Sequence, residues 1–135
     1  MDSEEWHMLE TGIQGRAETL VSKENTAASM SSGNLEVFAT PCMVALMEEA
    51  SQCSVAPFLG EGESTVGTKL CVSHDAATPV GMKVWAESTL TEIDGRRLVF
   101  EVRAFDACGP IGQGTHERFI IRRQRFLEKV EAKKA

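Results

Sequence analysis

The pattern of apolar and polar positions first indicates one long buried helix. Between Cys42 and Val55, apolar residues recur at helical spacing and cover most of the circumference, so a helix here needs burial. One side of it carries Met43, Leu46, Met47 and Ala50. Thr40-Pro41 favours the start of this helix, because a threonine can cap free backbone N–H groups and a proline fits the first helical position. We therefore predict a helix that begins at Thr40-Pro41, with Thr40 as its cap.

After Pro57 the apolar period changes from about 3.6 to 2, which indicates strands separated by turns. The predicted strands cover Thr65–Asp75, Met82–Ile93, Arg97–Ala107 and Gln113–Arg123. DGR at 94–96 and CGPIG at 108–112 are the predicted turns. We expect these four strands to form an antiparallel meander. An extended segment at Gly15–Lys23, a loop or lid at residues 24–34 and a short helix in the tail complete the prediction.

Length and composition predict one domain over residues 1–135. The chain is 42% hydrophobic and 25% charged, with a formal net charge of −6, which gives no general attraction to nucleic acid. The N-terminal sequence MDSEEWHMLE lacks the basic start and apolar core of a secretory signal, and no apolar run approaches the length of a membrane span. We expect a cytoplasmic protein with neither nucleic acid nor membrane as partner.

The four cysteines show neither CxxC spacing nor the density of a disulfide scaffold. No HExxH motif or other tight metal-ligand spacing is present. We expect reduced thiols, no metal and no cofactor. Cys42, in the first turn of the predicted helix, is a minor candidate for a nucleophile if a histidine activates it.

A hydroxyl, a carboxylate and an imidazole lie at the margins of the apolar segments: Thr40, Glu48 and His74. These groups are the minimum set for acyl transfer. Glu48 falls at the edge of the helix's apolar surface and two turns from Thr40, so a third residue must bridge the two. Taken singly, each has an ordinary role: a helix cap, a solvated helix carboxylate and a histidine at a strand end.

A long buried helix followed by long antiparallel strands satisfies its apolar faces if the sheet curls around the helix, in an α+β architecture called the hotdog fold. The residues also carry a family resemblance. EVFATPCMVALMEEA, GTKLCVSHDAATPVGMKV, EIDGRRLVFEVRAFD and IGQGTHER resemble, in the same order and at matching separations, segments of the bacterial fluoroacetyl-CoA thioesterase family and its hotdog-fold relatives. The match runs from about Glu36 to Glu131, and residues 1–35 align loosely.

The resemblance implies an acyl-CoA thioesterase whose catalytic residues are Thr40, Glu48 and His74. It further implies that Gly67, through its backbone, and Arg118, as a positive group, contribute to the acyl-thioester pocket. An alternative for Arg118 is an ion pair with Glu117 or Glu101. The resemblance also suggests an obligate homodimer with the active site between protomers.

The segment before the helix, SSGNLEVF, keeps Phe38 as a substrate-binding candidate but has Ser31 and Asn34 where the relative has phenylalanines. We therefore expect a small or medium acyl-CoA rather than a fluoroacetyl-selective enzyme. The cluster of Arg122, Arg123 and Arg125, with Lys69, is a candidate seat for the phosphates of coenzyme A, with solvated surface charge as the alternative.

In the expected mechanism, His74 is the general base that activates Thr40 or a water. Backbone N–H groups near Gly67, or at the helix start after Thr40, stabilise the oxyanion. Whether an acyl-enzyme forms on Thr40 stays open. The rival functions are a hotdog-fold hydratase or dehydratase and a non-catalytic acyl-CoA-binding module.

Overall fold

The computed structural model describes residues 8–135, in which a five-stranded antiparallel sheet packs against one long helix. The predicted domain begins at residue 1, and its first seven residues lie outside the described part of the chain. The elements are β1 (Gln14–Leu20), α1 (Thr40–Val55), β2 (Glu63–His74), β3 (Lys83–Asp94), β4 (Arg97–Asp106), β5 (Gly109–Arg122) and α2 (Arg123–Glu131). Short 3₁₀ turns lie at Lys23–Asn25, Ala56–Phe58 and Ala132–Lys134.

The strand order is β1-β3-β4-β5-β2, so the predicted meander is correct for β3, β4 and β5 and wrong for β2. β2 pairs with β5 along its whole length, from Glu63 opposite Arg122 to His74 opposite Gly112. The burial of the two strands explains this order. The inward side chains of β3 are fully buried, which requires a neighbouring strand on each side. In β2, by contrast, Thr65 is the only buried residue. A strand with so little apolar surface is suited to the edge of the sheet.

The core lies between α1 and the concave face of the sheet. Its largest fully buried side chains include Met43 and Met47 from α1, with Leu90, Leu98 and Phe100 from the sheet. Each such side chain contributes about 1.5–3 kcal/mol by leaving water. The buried residues of α1 confirm the predicted apolar side.

Two glycines allow the helix and the strands to approach closely. A Cβ at Gly15 in β1 would collide with the carbonyl oxygen of Ala50, and one at Gly112 in β5 would lie 2.7 Å from the sulfur of Met43. Any larger residue at either position would push α1 away from the sheet. These two close contacts therefore fix the distance between α1 and the sheet.

The predicted start of α1 is confirmed, but Thr40 is not its cap. Ala39 occupies the N-cap position, Thr40 is the first helical residue, and no side chain caps the helix. The backbone carbonyl of Ala39 instead accepts from the N–H groups of both Cys42 and Met43, at 3.0 Å each. The Thr40 hydroxyl is left for another partner, and so the helix start is closed by backbone alone.

The β2–β5 ladder is interrupted by a bulge. Its register shifts between Gly67 and Lys69, so Thr68 has no paired residue in the ladder, although its hydroxyl donates to the Glu117 carbonyl on β5 at 3.3 Å. Similar shifts occur between Leu90 and Glu92 in β3 and between Ala104 and Phe105 in β4. Bulges increase local twist and bend a sheet, and these three help it to curve around α1. Past the β2 bulge, the less exposed residues are Leu70, Val72 and His74.

The predicted loop at residues 24–34 folds back on itself beside the start of α1. Ala27 N–H donates to the Val37 carbonyl at 2.8 Å, and Ala28 N–H donates to the Leu35 carbonyl at 3.0 Å. The predicted turn over CGPIG is shorter than expected, because β5 already begins at Gly109. The predicted short helix in the tail is α2. Among residues 8–135, no helix is long and apolar enough to cross a membrane.

Candidate active site

The structure brings Thr40 and His74 together. The Thr40 Oγ1 lies 2.7 Å from the Nδ1 of His74, between the first turn of α1 and the last residue of β2. Thr40 is exposed, whereas His74 is half-buried and its Nε2 is buried with no hydrogen-bond partner among the described residues. When the neutral ring accepts a hydrogen bond from the hydroxyl at Nδ1, Nε2 carries the ring proton. This arrangement suits a base that activates an accessible hydroxyl.

Burial is the main influence on the proton affinity of His74. Desolvation lowers its pKa below the ordinary value, because burial penalises the charged imidazolium. The backbone of Ala76 and the negative charge of Asp75 oppose this by raising the pKa. The net direction is downward, so the ring stays neutral at pH values near 7, as a general base requires.

A small cavity of about 230 Å³ opens beside the Thr40–His74 pair. Its walls include the buried ring of Phe38, the loop residues Ala27 and Ser32, and Ala76 and Ala77 after β2. The structure thus places Phe38 next to the predicted nucleophile, as part of the wall. Ser31 and Asn34 are exposed on the loop.

Glu48, Gly67 and Arg118 form a second group, which lies in a different concavity, of about 470 Å³. A Cβ built on Gly67 would lie 3.0 Å from the Glu48 Oε2 and 3.3 Å from the Arg118 Nη1. Gly67 therefore leaves space for these two side chains. Within residues 8–135, Glu48 makes no hydrogen bond to Thr40 or His74. The structure of one chain does not bring the predicted triad together.

Arg118 is buried, with 7% of its surface exposed, and is held by hydrogen bonds rather than by an ion pair. Its Nε donates to the Thr65 hydroxyl at 2.8 Å and its Nη2 donates to the Thr65 carbonyl at 3.0 Å. The alternative ion pair with Glu117 does not form, because Glu117 lies on the opposite face of β5 and pairs with Arg97 at 3.0 Å. Glu101 lies 3.8 Å from Arg103 instead.

Comparisons with known proteins assign this arrangement to a family. The profile of the fluoroacetyl-CoA-specific thioesterase family matches residues 21–124. The fluoroacetyl-CoA thioesterase of Streptantibioticus cattleyicolor is 48% identical over 98 residues, which are 73% of this chain and 70% of that protein. The chain belongs to the fluoroacetyl-CoA-specific thioesterase family.

Solved structures agree with this membership. A crystal structure of the fluoroacetyl-CoA thioesterase is similar over 94% of this chain and 98% of its own, with 38% identity and a TM-score of 0.89. A thioesterase superfamily member from Thermus thermophilus covers 93% of each chain, with 30% identity and a TM-score of 0.86. The predictions of the family, of the hotdog fold and of an acyl-CoA thioesterase are thereby confirmed.

His116 is a residue next to Arg118 that sequence reasoning missed. It is 1% exposed, its Nε2 lies 3.2 Å from the Arg118 Nη1, and its Nδ1 lies 2.8 Å from the Lys69 carbonyl oxygen. The signal available in the sequence was the alternation of β5, which puts residues 116, 118 and 120 on the inner face.

The structure disfavours two alternatives for reactive groups at the start of α1. The backbone N–H groups of Cys42 and Met43 are both bound to Ala39, so they are not free to form an oxyanion hole. Burial raises the pKa of the Cys42 thiol, which disfavours the thiolate that a nucleophile needs. Within residues 8–135, no three histidine, cysteine or acidic side chains are grouped as a metal site would require.

We expect the Asp75→Asn substitution to lower the pKa of His74 further, because it removes a negative charge that stabilises the imidazolium. NMR titration of the His74 ring measures this directly. The wild-type pKa should lie below the ordinary value of 6.5, and the variant's should lie lower still. Asp94→Asn, an exposed change at the far end of β3, is the control. An unchanged or raised pKa in Asp75→Asn would contradict this account of the site.

Proposed function

We propose that this family member hydrolyses small or medium acyl-CoA thioesters with His74 as general base, Thr40 as the group it activates and Glu48 as the carboxylate that orients it. The observation that carries the proposal is the 2.7 Å contact between the Thr40 Oγ1 and the His74 Nδ1. A neutral imidazole in contact with an exposed hydroxyl is the pairing that nucleophilic acyl transfer requires.

In the proposed reaction, His74 removes a proton from the Thr40 hydroxyl, or from a water in its place, as the oxygen attacks the thioester carbonyl. The tetrahedral oxyanion collapses, the C–S bond breaks, and the imidazolium returns the proton to the departing thiolate of coenzyme A. If Thr40 attacked, a water then releases the acid by the same steps. Arg118 and a backbone group at Gly67 are suited to face the oxyanion, since the N–H groups of Cys42 and Met43 are bound to the Ala39 carbonyl.

The dimensions of the cavity beside Thr40 support a small acyl group. About 230 Å³ bounded by Phe38 and several alanines leaves room for a short chain. Neither Ser31 nor Asn34 supplies the aromatic side chain found in the relative before the helix. Selectivity for fluoroacetyl-CoA is therefore not part of the proposal, although the relative of 48% identity is named for that substrate.

A homodimer completes the site in this proposal. β2 ends the strand order and leaves one edge open, and an open edge can pair with a second chain. Antiparallel pairing of two β2 strands about Leu70 and Cys71 would set His74 of one opposite Gly67 of the other. The partner's carboxylate at position 48 would then approach the buried, unpartnered Nε2 of His74.

The arginines after β5 are the proposed seat for the phosphates of coenzyme A. Arg122, Arg123 and Arg125 surround a concavity of about 530 Å³, and none of them pairs with a carboxylate among the described residues. Arg122 lies on the same face of β5 as Arg118, four residues or roughly 13 Å further along the strand. The pantetheine arm of coenzyme A provides such a separation between thioester and phosphates.

The cytoplasm is the proposed location of this reaction. All four cysteines are free, and three of them are exposed. Exposed free thiols are typical of a reducing compartment, where disulfides rarely persist.

We expect His74→Ala to reduce kcat/KM by about 10² to 10⁴, because the general base is lost. Thiol release from acetyl-CoA and from a series of longer acyl-CoA esters, followed with Ellman's reagent, measures both the loss and the preferred chain length. Ser73→Ala, on the neighbouring exposed position of β2, should retain activity. Near-normal thiol release by a folded His74→Ala variant would rule out the mechanism, and water addition without thiol release would indicate a hydratase instead.

A mixture of two inactive variants tests the shared site. His74→Ala and Glu48→Ala chains should each be inactive alone, but mixed dimers should contain one intact site, made from the two unmodified residues. Random exchange makes half of the dimers mixed, so about a quarter of the wild-type rate should return. A site built within one chain predicts no recovery, and sedimentation analysis of the wild type must show a dimer.

The Arg122→Ala/Arg125→Ala variant should raise KM for an acyl-CoA by about tenfold or more, because charge-assisted hydrogen bonds to phosphate are lost. The matching acyl-N-acetylcysteamine thioester lacks the nucleotide, so its kcat/KM should stay constant. Arg16→Ala/Arg103→Ala removes the same charge from exposed positions elsewhere and is the control. Equal effects on both thioesters would contradict a phosphate site.

A further inference from the structure

We propose that His116 is a positioning residue that fixes the Arg118 guanidinium in the acyl-thioester site. This inference rests on the proposed function, in which Arg118 faces the reacting thioester. His116 itself is 1% exposed, lies behind Arg118 and has no direct role in the proposed mechanism. Its hydrogen bonds to Arg118 and to the Lys69 carbonyl indicate a role in addition to packing.

The hydrogen bonds of His116 define its protonation state. Its Nδ1 lies 2.8 Å from the Lys69 carbonyl oxygen, which only accepts, so Nδ1 carries the proton. Its Nε2 lies 3.2 Å from the Arg118 Nη1, and a guanidinium only donates, so Nε2 presents its lone pair. Both bonds exist together only in the neutral ring with its proton on Nδ1.

The charges around His116 favour that neutral form. Burial is the largest influence and lowers its pKa, and the positive charge of Arg118 lowers it further. The Lys69 carbonyl on β2, Glu48 on α1 and Glu117 on β5 oppose the shift. From β4, the ring of Phe100 stacks on the imidazole with centroids 6.3 Å apart and adds no charge.

Three partners hold Arg118 in one orientation. Thr65 binds the Nε through its hydroxyl and the Nη2 through its carbonyl, while His116 accepts from the Nη1. A guanidinium has five N–H groups, so one remains on each terminal nitrogen. The Nη1 also lies 3.3 Å from the position where a Cβ of Gly67 would stand, so this nitrogen borders the open space of the site.

His116 is thus the partner of the nitrogen that borders the open space beside Gly67. The two bonds to Thr65 still allow the planar guanidinium to rotate about the line through Nε and Nη2, and the bond from Nη1 to His116 opposes that rotation. Misplacement of a group by about 1 Å can reduce catalysis by up to about 100-fold. The loss should fall on kcat more than on KM if Arg118 acts on the developing oxyanion.

The test compares His116→Phe with His116→Gln. Phenylalanine fills the space against Phe100 but cannot accept from Arg118, and we expect kcat to fall by about 10- to 100-fold. Glutamine offers an amide oxygen to Arg118 and an amide N–H to Lys69, and should restore most of this loss. In an Arg118→Ala background, His116→Phe should cause little additional loss, because the two residues act through one contact.

Two controls distinguish the positioning of Arg118 by His116 from an effect on protein stability and from failure of the proposed thioesterase function. Val102→Ala removes buried volume from β4 without touching Arg118 and measures what loss of core packing alone does to kcat. NMR signals of the Arg118 side-chain N–H groups report the contact without any activity. They should change in His116→Phe and persist in His116→Gln, even if no acyl-CoA were hydrolysed and the proposed function failed.

The proposal is wrong if glutamine is as harmful as phenylalanine. Equal losses from His116→Phe with and without Arg118 would also overturn it, as would unchanged Arg118 signals in His116→Phe.

Discussion

The burial of α1 against the concave sheet is the constraint on which the rest of the structure depends. Met43 and Met47 are fully buried, and α1 lies close enough to need glycine at positions 15 and 112. Because the sheet covers the apolar side of α1, functional polar groups can lie only at the end of the helix or at the margin of that apolar side. Thr40 is at the end and Glu48 at the margin, so the packing of the core decides where the chemistry can occur.

The second organising feature is a buried cation, Arg118, which contacts no carboxylate among residues 8–135. Burial lowers the pKa of Arg118, which expresses the cost of removing its charge from water. Glu48 is near enough to oppose this shift, but the guanidinium is satisfied by hydroxyl, carbonyl and imidazole acceptors that carry no charge. Neutral acceptors hold the group in place without neutralising it. Its charge therefore remains available to an anion that forms during a reaction.

Sequence periodicity predicted the elements well, because a helix needs a buried side and each strand alternates in exposure. Periodicity does not determine which strands are neighbours, so chain order predicts β2 beside β3, whereas its polar face suits an edge. Threonine is a common helix cap, and the sequence therefore predicts that role for Thr40. The structure gives the cap position to Ala39 and binds the hydroxyl to His74, a contact over 34 residues that no local pattern contains. No local pattern reveals the hydrogen bond between His116 and the Lys69 carbonyl either, because the two residues are 47 positions apart.

The bulge in β2 has a consequence for how the two halves of the site can coexist. Gly67 and His74 are seven residues apart, and in a regular strand an odd separation puts two side chains on opposite faces. Thr68, the extra residue in the ladder, restores an even count, so His74 shares a face with Gly67. The proposed site therefore depends on the number of residues between Gly67 and His74 as well as on which residues are present. Loss of one residue between these positions would turn the imidazole to the outer surface while leaving every proposed catalytic residue in the chain.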